Sequence, residues 1–327
     1  MANPDFEDVV AAAGRIAPYA VRTPLVEAPA LGAVTGGRVF LKLETLQRTG
    51  SFKFRGATNR LAMIPQEARA GGVVAFSSGN HAQGVAAAAA LFAMPALIVM
   101  PADAPSVKIA NTRALGAEVV LYDRQTEDRE AIAAKICAAR GATLVKPFDD
   151  AGIIAGQGTV GLEIAEDAKR FGIVPDLVLA PCSGGGLVTG TALGLRGRGI
   201  NAPVHSVEPE NFAGMRQSLA QGARTAVPGG PLSIADALMA PVPGIIVFEA
   251  AKDLLAPGVA VDDAALLHAV GFAAQTLKLV VEPGGAAGIA ALLSGKVDAA
   301  GKTAVVVVSG GNADFAVVAD AVARLRP

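Results

Sequence analysis

Apolar and polar positions along the chain alternate in blocks that predict strands and helices in turn. Gly72-Val-Val-Ala-Phe76 is a short β-branched run, and His81 to Ala93 is an apolar helical stretch with five consecutive alanines. Ala96-Leu-Ile-Val-Met100 follows after Pro95 as a strand. Ser106 caps a helix to Leu115 that Gly116 ends. Glu118 to Tyr122, a helix from Asp128 to Arg140, and Thr143-Leu-Val145 complete a block of four strands with short connections. On either side lie a helix over Phe6 to Ile16, a strand over Val39 to Leu43 and a helix opened by Ser51. Then come a helix from Gln157 to Lys169, a strand over Leu177 to Ala180, a helix after Gly186 and a strand over Val204 to Val207. Helices over Asp262 to Leu277 and Gly284 to Leu293, a strand over Ala304 to Val308 and a last helix to Arg324 close the chain. Strand and helix in alternation predict parallel βαβ units. The predicted architecture is α/β: two open, mostly parallel sheets flanked by helices. A large domain takes residues 1–71 and 149–327, and a small α/β domain is inserted at 72–148. A crevice between two such domains favours a ligand.

Composition narrows the function classes. The 327 residues carry 28 basic and 29 acidic side chains, a net charge of -1, so no basic face for nucleic acid is indicated. Charged residues make up 17% and hydrophobic ones 52%, which predicts large cores rather than disorder. The stretch from Val85 to Met100 is uncharged but broken by Pro95, and a membrane span needs about 20 strongly apolar residues. The acidic amino terminus does not read as a signal peptide. The expectation is a cytoplasmic protein with no membrane or nucleic-acid partner. Two cysteines, Cys137 and Cys182, are too few for a disulfide scaffold. Each reads as a small packing residue, although Cys182 borders a glycine turn, where a nucleophile is the rival.

Candidate chemistry gathers in four motifs. Thr49-Gly-Ser-Phe-Lys53-Phe-Arg-Gly56 holds an amine between two phenylalanines. A desolvated amine has a lowered pKa and can attack a carbonyl as the free base. Ser183-Gly184-Gly185-Gly186-Leu187 follows a strand and opens a helix, where backbone amides and the macrodipole suit a phosphate. The rival there is a dinucleotide fold: Gly184, Gly186 and Gly190 approximate its fingerprint, with Glu208 about 20 residues on, but the third glycine is one position off. An NAD-dependent oxidoreductase would also leave Lys53 without a role. Ser309-Gly-Gly-Asn312 ends a strand at the rim where ligands of parallel sheets sit. Ser77-Ser78-Gly79-Asn80-His81 opens a helix, a second N-terminus suited to a substrate carboxylate. Each serine also has a plain reading as a turn or cap residue. Arg55 faces either the cofactor surroundings or an acid elsewhere.

Together, and over the span from Arg22-Thr-Pro-Leu25 to Ser309-Gly-Gly-Asn312, these motifs resemble the pyridoxal-phosphate enzymes of the tryptophan synthase β-subunit fold type. More narrowly, the chain is similar to the threonine/serine dehydratase and serine racemase branch. The resemblance implies pyridoxal 5'-phosphate held by Lys53 as an imine, with Lys53 as the base at the substrate α-carbon. It implies Phe52 against the ring, Asn80 at the ring hydroxyl, Ser183 to Leu187 on the phosphate, Glu282 near the ring edge and Ser309 at the ring nitrogen. Ser77, Ser78, Asn80 and His81 would hold the substrate, and Ser78 would serve proton transfer on the opposite face. The implied reaction is β-elimination from threonine, serine or a related 3-hydroxy amino acid to a 2-oxo acid and ammonia. A racemase or a hydroxyaspartate dehydratase is the near alternative. A homodimer is implied as well. Members that bind a divalent cation carry an aspartate six residues after the Glu of a Glu-Pro segment; here Glu208-Pro-Glu-Asn-Phe-Ala-Gly214 has glycine there, so no metal is expected. Phe148 in Pro147-Phe148-Asp149-Asp150 favours the dehydratases over the racemase. After the Ser309 loop one helix remains, so no regulatory domain is expected.

Overall fold

The computed structural model describes residues 3–77, 79–104 and 106–325. Among the described residues, ten strands form two sheets. Strands β1 (Leu25–Glu27), β2 (Arg38–Leu43), β7 (Leu177–Pro181), β8 (Val204–Pro209), β9 (Ala256–Val261) and β10 (Thr303–Val308) make a six-stranded sheet in the order β1-β2-β10-β7-β8-β9. Strands β3 (Val73–Phe76), β4 (Ala96–Pro101), β5 (Glu118–Tyr122) and β6 (Thr143–Leu144) make a second sheet in the order β5-β4-β3-β6. Every pairing of these strands is parallel except that of β1 with β2.

Parallel sheets need both faces covered, which is why their strands read as unbroken apolar runs. The six-stranded sheet has two cores. One contains Leu41, Leu179, Val306 and Ile289, the other Phe40, Val178, Val305 and Val188. The four-stranded sheet likewise packs Val73, Ala75 and Ile98 on one face and Val74, Leu97 and Val99 on the other. The helix Lys53–Ala62 contributes Phe54, Ala57 and Leu61 to the core of the smaller sheet. It therefore joins the two halves, although it precedes β3 in sequence.

Three departures from the sequence pattern have physical causes. The helix expected from Gln157 begins at Ala151, capped by Asp150, whose side chain accepts from Ile153 N. Gly152, Gly156, Gly158 and Gly161 weaken the helical signal there. They are kept by close helix crossings. A Cβ on Gly156 would lie 2.6 Å from Gly56 Cα, and one on Gly190 would lie 2.6 Å from Gly158 N. Strand β9 was not expected, because Pro257 and Gly258 interrupt it; it is tolerated at the sheet edge, with a register shift between His205 and Val207. Strand β1 spans only three residues, too few for any periodicity.

Candidate active site

Loops at the carboxyl ends of β2, β3, β7 and β10 bring the four motifs together. Phe52 N donates to Ser309 O at 3.1 Å, and Ser51 bridges Gly310. On the other side of that segment Glu282 N donates to Gly310 O, also at 3.1 Å. Glu282 Oε1 then accepts from Asn80 Nδ2 at 2.6 Å, and Asn80 Oδ1 accepts from Asn312 Nδ2 at 2.8 Å. Asn312 also donates to Thr49 O. So the Lys53 segment, the Ser309 turn, Glu282 and the head of the helix Asn80–Leu91 form one hydrogen-bonded unit. Gly84 lets that helix lie on the Lys53 backbone: a Cβ there would sit 3.1 Å from Lys53 C.

Lys53 is half-buried, and its Nζ donates to Pro147 O at 2.6 Å. The ammonium lies 5.2 Å from the Phe52 ring centroid. Among the described residues no carboxylate pairs with it. Desolvation therefore lowers the amine to about 8. Phe148, next to Pro147, carries the connection onward to the glycine turn, because its ring lies where a Cβ of Gly184 would be. The turn itself needs glycine at 185, which has φ +96° and where a Cβ would strike Met215 and Val247. The helix Gly186–Gly197 starts there, and the amides of a first helical turn have no acceptor of their own. Ser183 Oγ accepts from Ala240 N at 3.1 Å and keeps its own proton to donate.

Other expected positions resolve less simply. The imidazole of His81 is buried, with Nε2 3.0 Å from Val145 O. Desolvation, then the Lys53 charge, lowers it to about 3, so the ring is neutral and its Nε2–H is the donor to the carbonyl. His81 can offer a substrate carboxylate its backbone amide but not a charged ring. Ser77 Oγ accepts from Gly79 N at 3.2 Å, shaping the same helix start. Ser78 lies outside the described residues. Ser309 Oγ, at the end of β10, has no hydrogen-bond partner among the described residues. Glu282 is buried, which pushes its carboxyl up to about 7 against the Asn80 hydrogen bond.

At the Glu208 segment, where some relatives of the resembled branch hold a cation, the carboxylate is engaged by backbone amides. Glu208 is fully buried, with Oε1 accepting from Met215 N and Oε2 from Arg216 N, each at 2.8 Å. Its carboxylate closes the start of the helix Gly214–Gln221, and burial raises it to about 7. No group of three or more His, Cys, Asp or Glu among the described residues is placed to hold a metal. Cys182 is buried, and desolvation followed by the Glu208 charge pushes its thiol well above the usual value, which leaves no nucleophile there.

Arg55 turns out to face away from the crevice, bonded to Glu44 and Glu163. Neither acid was expected here, although each stands in an apolar run: Glu163 alone in Gly-Leu-Glu-Ile-Ala, and Glu44 beside Lys42 after Val-Phe-Leu-Lys-Leu. Lys108 and Asp236 were missed as well; their side chains meet at 2.6 Å from the connections of the two different sheets. No local signal points to a pair 128 residues apart.

The residues present fit a phosphate-bearing aldehyde. They supply a solvent-poor amine without an acid partner, free helix amides behind glycines that leave no room for side chains, and a hydroxyl without a partner among the described residues. Comparisons with known proteins agree. The family model described as "Pyridoxal-phosphate dependent enzyme" matches residues 16–310. An L-threo-3-hydroxyaspartate ammonia-lyase from Pseudomonas sp is 43% identical over 277 residues, which are 85% of each chain. The L-threonine ammonia-lyase of Thermotoga maritima is 42% identical over 277 residues, 85% of this chain and 68% of that protein. The solved structure of a T.th. threonine deaminase superposes with a TM-score of 0.89 at 41% identity, covering 95% of this chain and 99% of that one. A match over most of the length, on a site whose amine and glycine turn meet through Phe148, is decisive: the chain belongs to the family of pyridoxal-phosphate-dependent enzymes.

Proposed function

We propose that this protein is an ammonia-lyase that removes the β-hydroxyl and the amino group from threonine, serine or a related 3-hydroxy amino acid, giving a 2-oxo acid and ammonia. The observation that carries it is the placement of Lys53: an amine lowered to about 8, held by Pro147 O and joined through Phe148 to the glycine turn. When bound, the cofactor supplies an electron sink conjugated with the substrate α-carbon. The protein's own groups do the rest. The amides of Gly184 to Leu187 would hold the phosphate. The remaining N–H of Asn80, whose amide is fixed by Glu282 and Asn312, would be free to donate to the ring hydroxyl. Ser309 would offer a neutral hydroxyl, not a carboxylate, to the ring nitrogen, a weaker stabiliser of negative charge that suits elimination. The first-turn amides of the helix Asn80–Leu91 hold the substrate carboxylate. Lys53 takes the α-proton, a role suited to an amine near neutrality. Phe52 and Phe148 exclude water. Ser78 as the acid on the opposite face stands on the sequence alone.

The ammonia-lyases among the relatives support elimination, and the family match displaces the nicotinamide alternative. No helix among the described residues is long and apolar enough to cross a membrane. A cytoplasmic homodimer, with residues 72–148 as the smaller domain, completes the proposal. The test is a panel of threonine, serine and 3-hydroxyaspartate isomers, scored for 2-oxo acid, ammonia and inverted stereochemistry. Inversion without ammonia from every substrate would replace the lyase by a racemase.

A further inference from the structure

Two residues past Lys53, Arg55 is completely enclosed, and so are Glu44 and Lys42. Arg55 Nε and Nη2 reach Glu44 Oε2 and Oε1 at 2.7 and 2.8 Å. Its Nη1 and Nη2 reach Glu163 Oε1 and Oε2 at 2.7 and 2.8 Å. Thr159 and Thr23 hydroxyls accept from Arg55 at 3.2 and 3.1 Å. Lys42 Nζ closes the cluster on Glu163 Oε2 at 2.5 Å and Thr23 O at 2.6 Å. Two cations and two anions balance. Apolar residues of similar volume stabilise a fold as well as a buried ion cluster does, because the ions lose their hydration. What a planar guanidinium with two bidentate carboxylates adds is direction.

The direction matters because of where Arg55 sits. Positions i and i+2 of a helix point about 200° apart. Lys53 faces the crevice, so Arg55 fixes the back of the same helical turn. Glu44 follows β2, which pairs with β10, the strand that delivers Ser309. Glu163 lies on the helix Ala151–Phe171, which touches the Lys53 helix at the Gly56–Gly156 crossing.

We propose that Arg55 is a positioning residue for Lys53. Its paired fork sets the angle of the first helical turn, and with it the approach of the long, otherwise unpaired amine to the cofactor and the α-proton. The proposal rests on Lys53 being the lysine that carries the cofactor.

The experiment compares wild type with Arg55→Lys, which keeps the charge and loses the fork. Apoprotein is mixed with pyridoxal 5'-phosphate, and covalent attachment is followed by absorbance: the amine nitrogen adds to the aldehyde carbon, a C=N bond forms and the carbonyl oxygen leaves as water. Affinity for 4'-deoxypyridoxine phosphate, which has no aldehyde, is measured beside it. Attachment is expected to slow about tenfold or more, since a small misplacement of a reacting group costs that much. The deoxy analogue should bind within about twofold of wild type, and kcat should fall about as much as attachment while KM stays within about threefold. Equal loss of attachment rate and analogue affinity, or an unchanged attachment rate, overturns the proposal. Should Arg55→Lys not fold, Glu163→Gln, which leaves the Glu44 fork in place, carries the same expectation at about threefold. Borohydride reduction of wild type, with peptide mass mapping, separates the two levels. A label on any other lysine removes the underlying assignment; a label on Lys53 with normal attachment in the variant removes only the role of Arg55.

Discussion

Lys53 and Arg55 stand two residues apart on one helix and live in opposite electrostatic worlds. Arg55 has two carboxylates on its fork, and they outweigh desolvation and hold its pKa above the usual arginine value. Lys53 has a backbone carbonyl and a ring face, so desolvation acts alone and lowers it to about 8. On the paired side every charge has an opposite at hydrogen-bond distance. On the other side stand an unmatched amine, a carboxyl raised to about 7 at Glu282, a neutral histidine and a serine hydroxyl without a partner among the described residues. Satisfied charges make a rigid back wall, while unsatisfied ones leave groups that can exchange protons near neutrality.

Removing the unmatched amine has the largest expected effect. Lys53→Ala should abolish ammonia release, a loss of about a thousandfold or more, with the apoprotein still folded. Ammonia from that variant at an undiminished rate would contradict the contrast. Breaking the matched side should show in stability instead. Arg55→Met leaves Glu44 buried with only the Thr23 hydroxyl and Glu163 with only Lys42, so one anion is uncompensated, and a loss of about 3–5 kcal/mol in denaturant unfolding is expected. A loss below about 1 kcal/mol would mean the cluster is better hydrated than its burial suggests.

The Glu282 carboxyl sharpens the comparison through pH. Its value in the folded state, about 7, lies above the unfolded 4.5, so the folded protein binds more protons across that window. Its stabilising contribution is present below pH 4.5 and is lost as pH rises towards 7, an effect of about 3 kcal/mol. Glu282→Gln apoprotein should lose this slope in thermal or urea unfolding between those pH values, whereas Lys53 acts in the opposite sense and only above about 8. The smallest expected effect concerns the glycine turn. Gly185→Ala forces a side chain onto φ +96° against Met215 and Val247, and should weaken cofactor affinity about tenfold with little change in the rate at saturation. Tight binding in that variant would show that the turn yields.

Much of this was legible in the chain. Parallel strands announce themselves as apolar runs, since burial on both faces removes the need for alternation. Glycine after a strand and before a helix announces a turn with exposed helix-start amides, since those amides and the absence of Cβ are both local properties. Lys53 between Phe52 and Phe54 was visible for the same reason. Strand β9 and the first two turns of the long helix were not. Their proline and glycines oppose the local signal, and only an edge position or a neighbouring helix at van der Waals distance makes those residues the right ones.

The sequence by itself determined the order of the elements, the parallel class of the sheets and the residue types offered to an anion and a carbonyl, because these follow from hydrophobic period and backbone chemistry within a few residues. Only the tertiary structure decided which charges are matched. Glu44 and Glu163 reach Arg55 from 11 and 108 residues away, and no acid reaches Lys53 among the described residues. A group's pKa depends on which partners the fold places within a few ångströms, and that distance is not written along the chain.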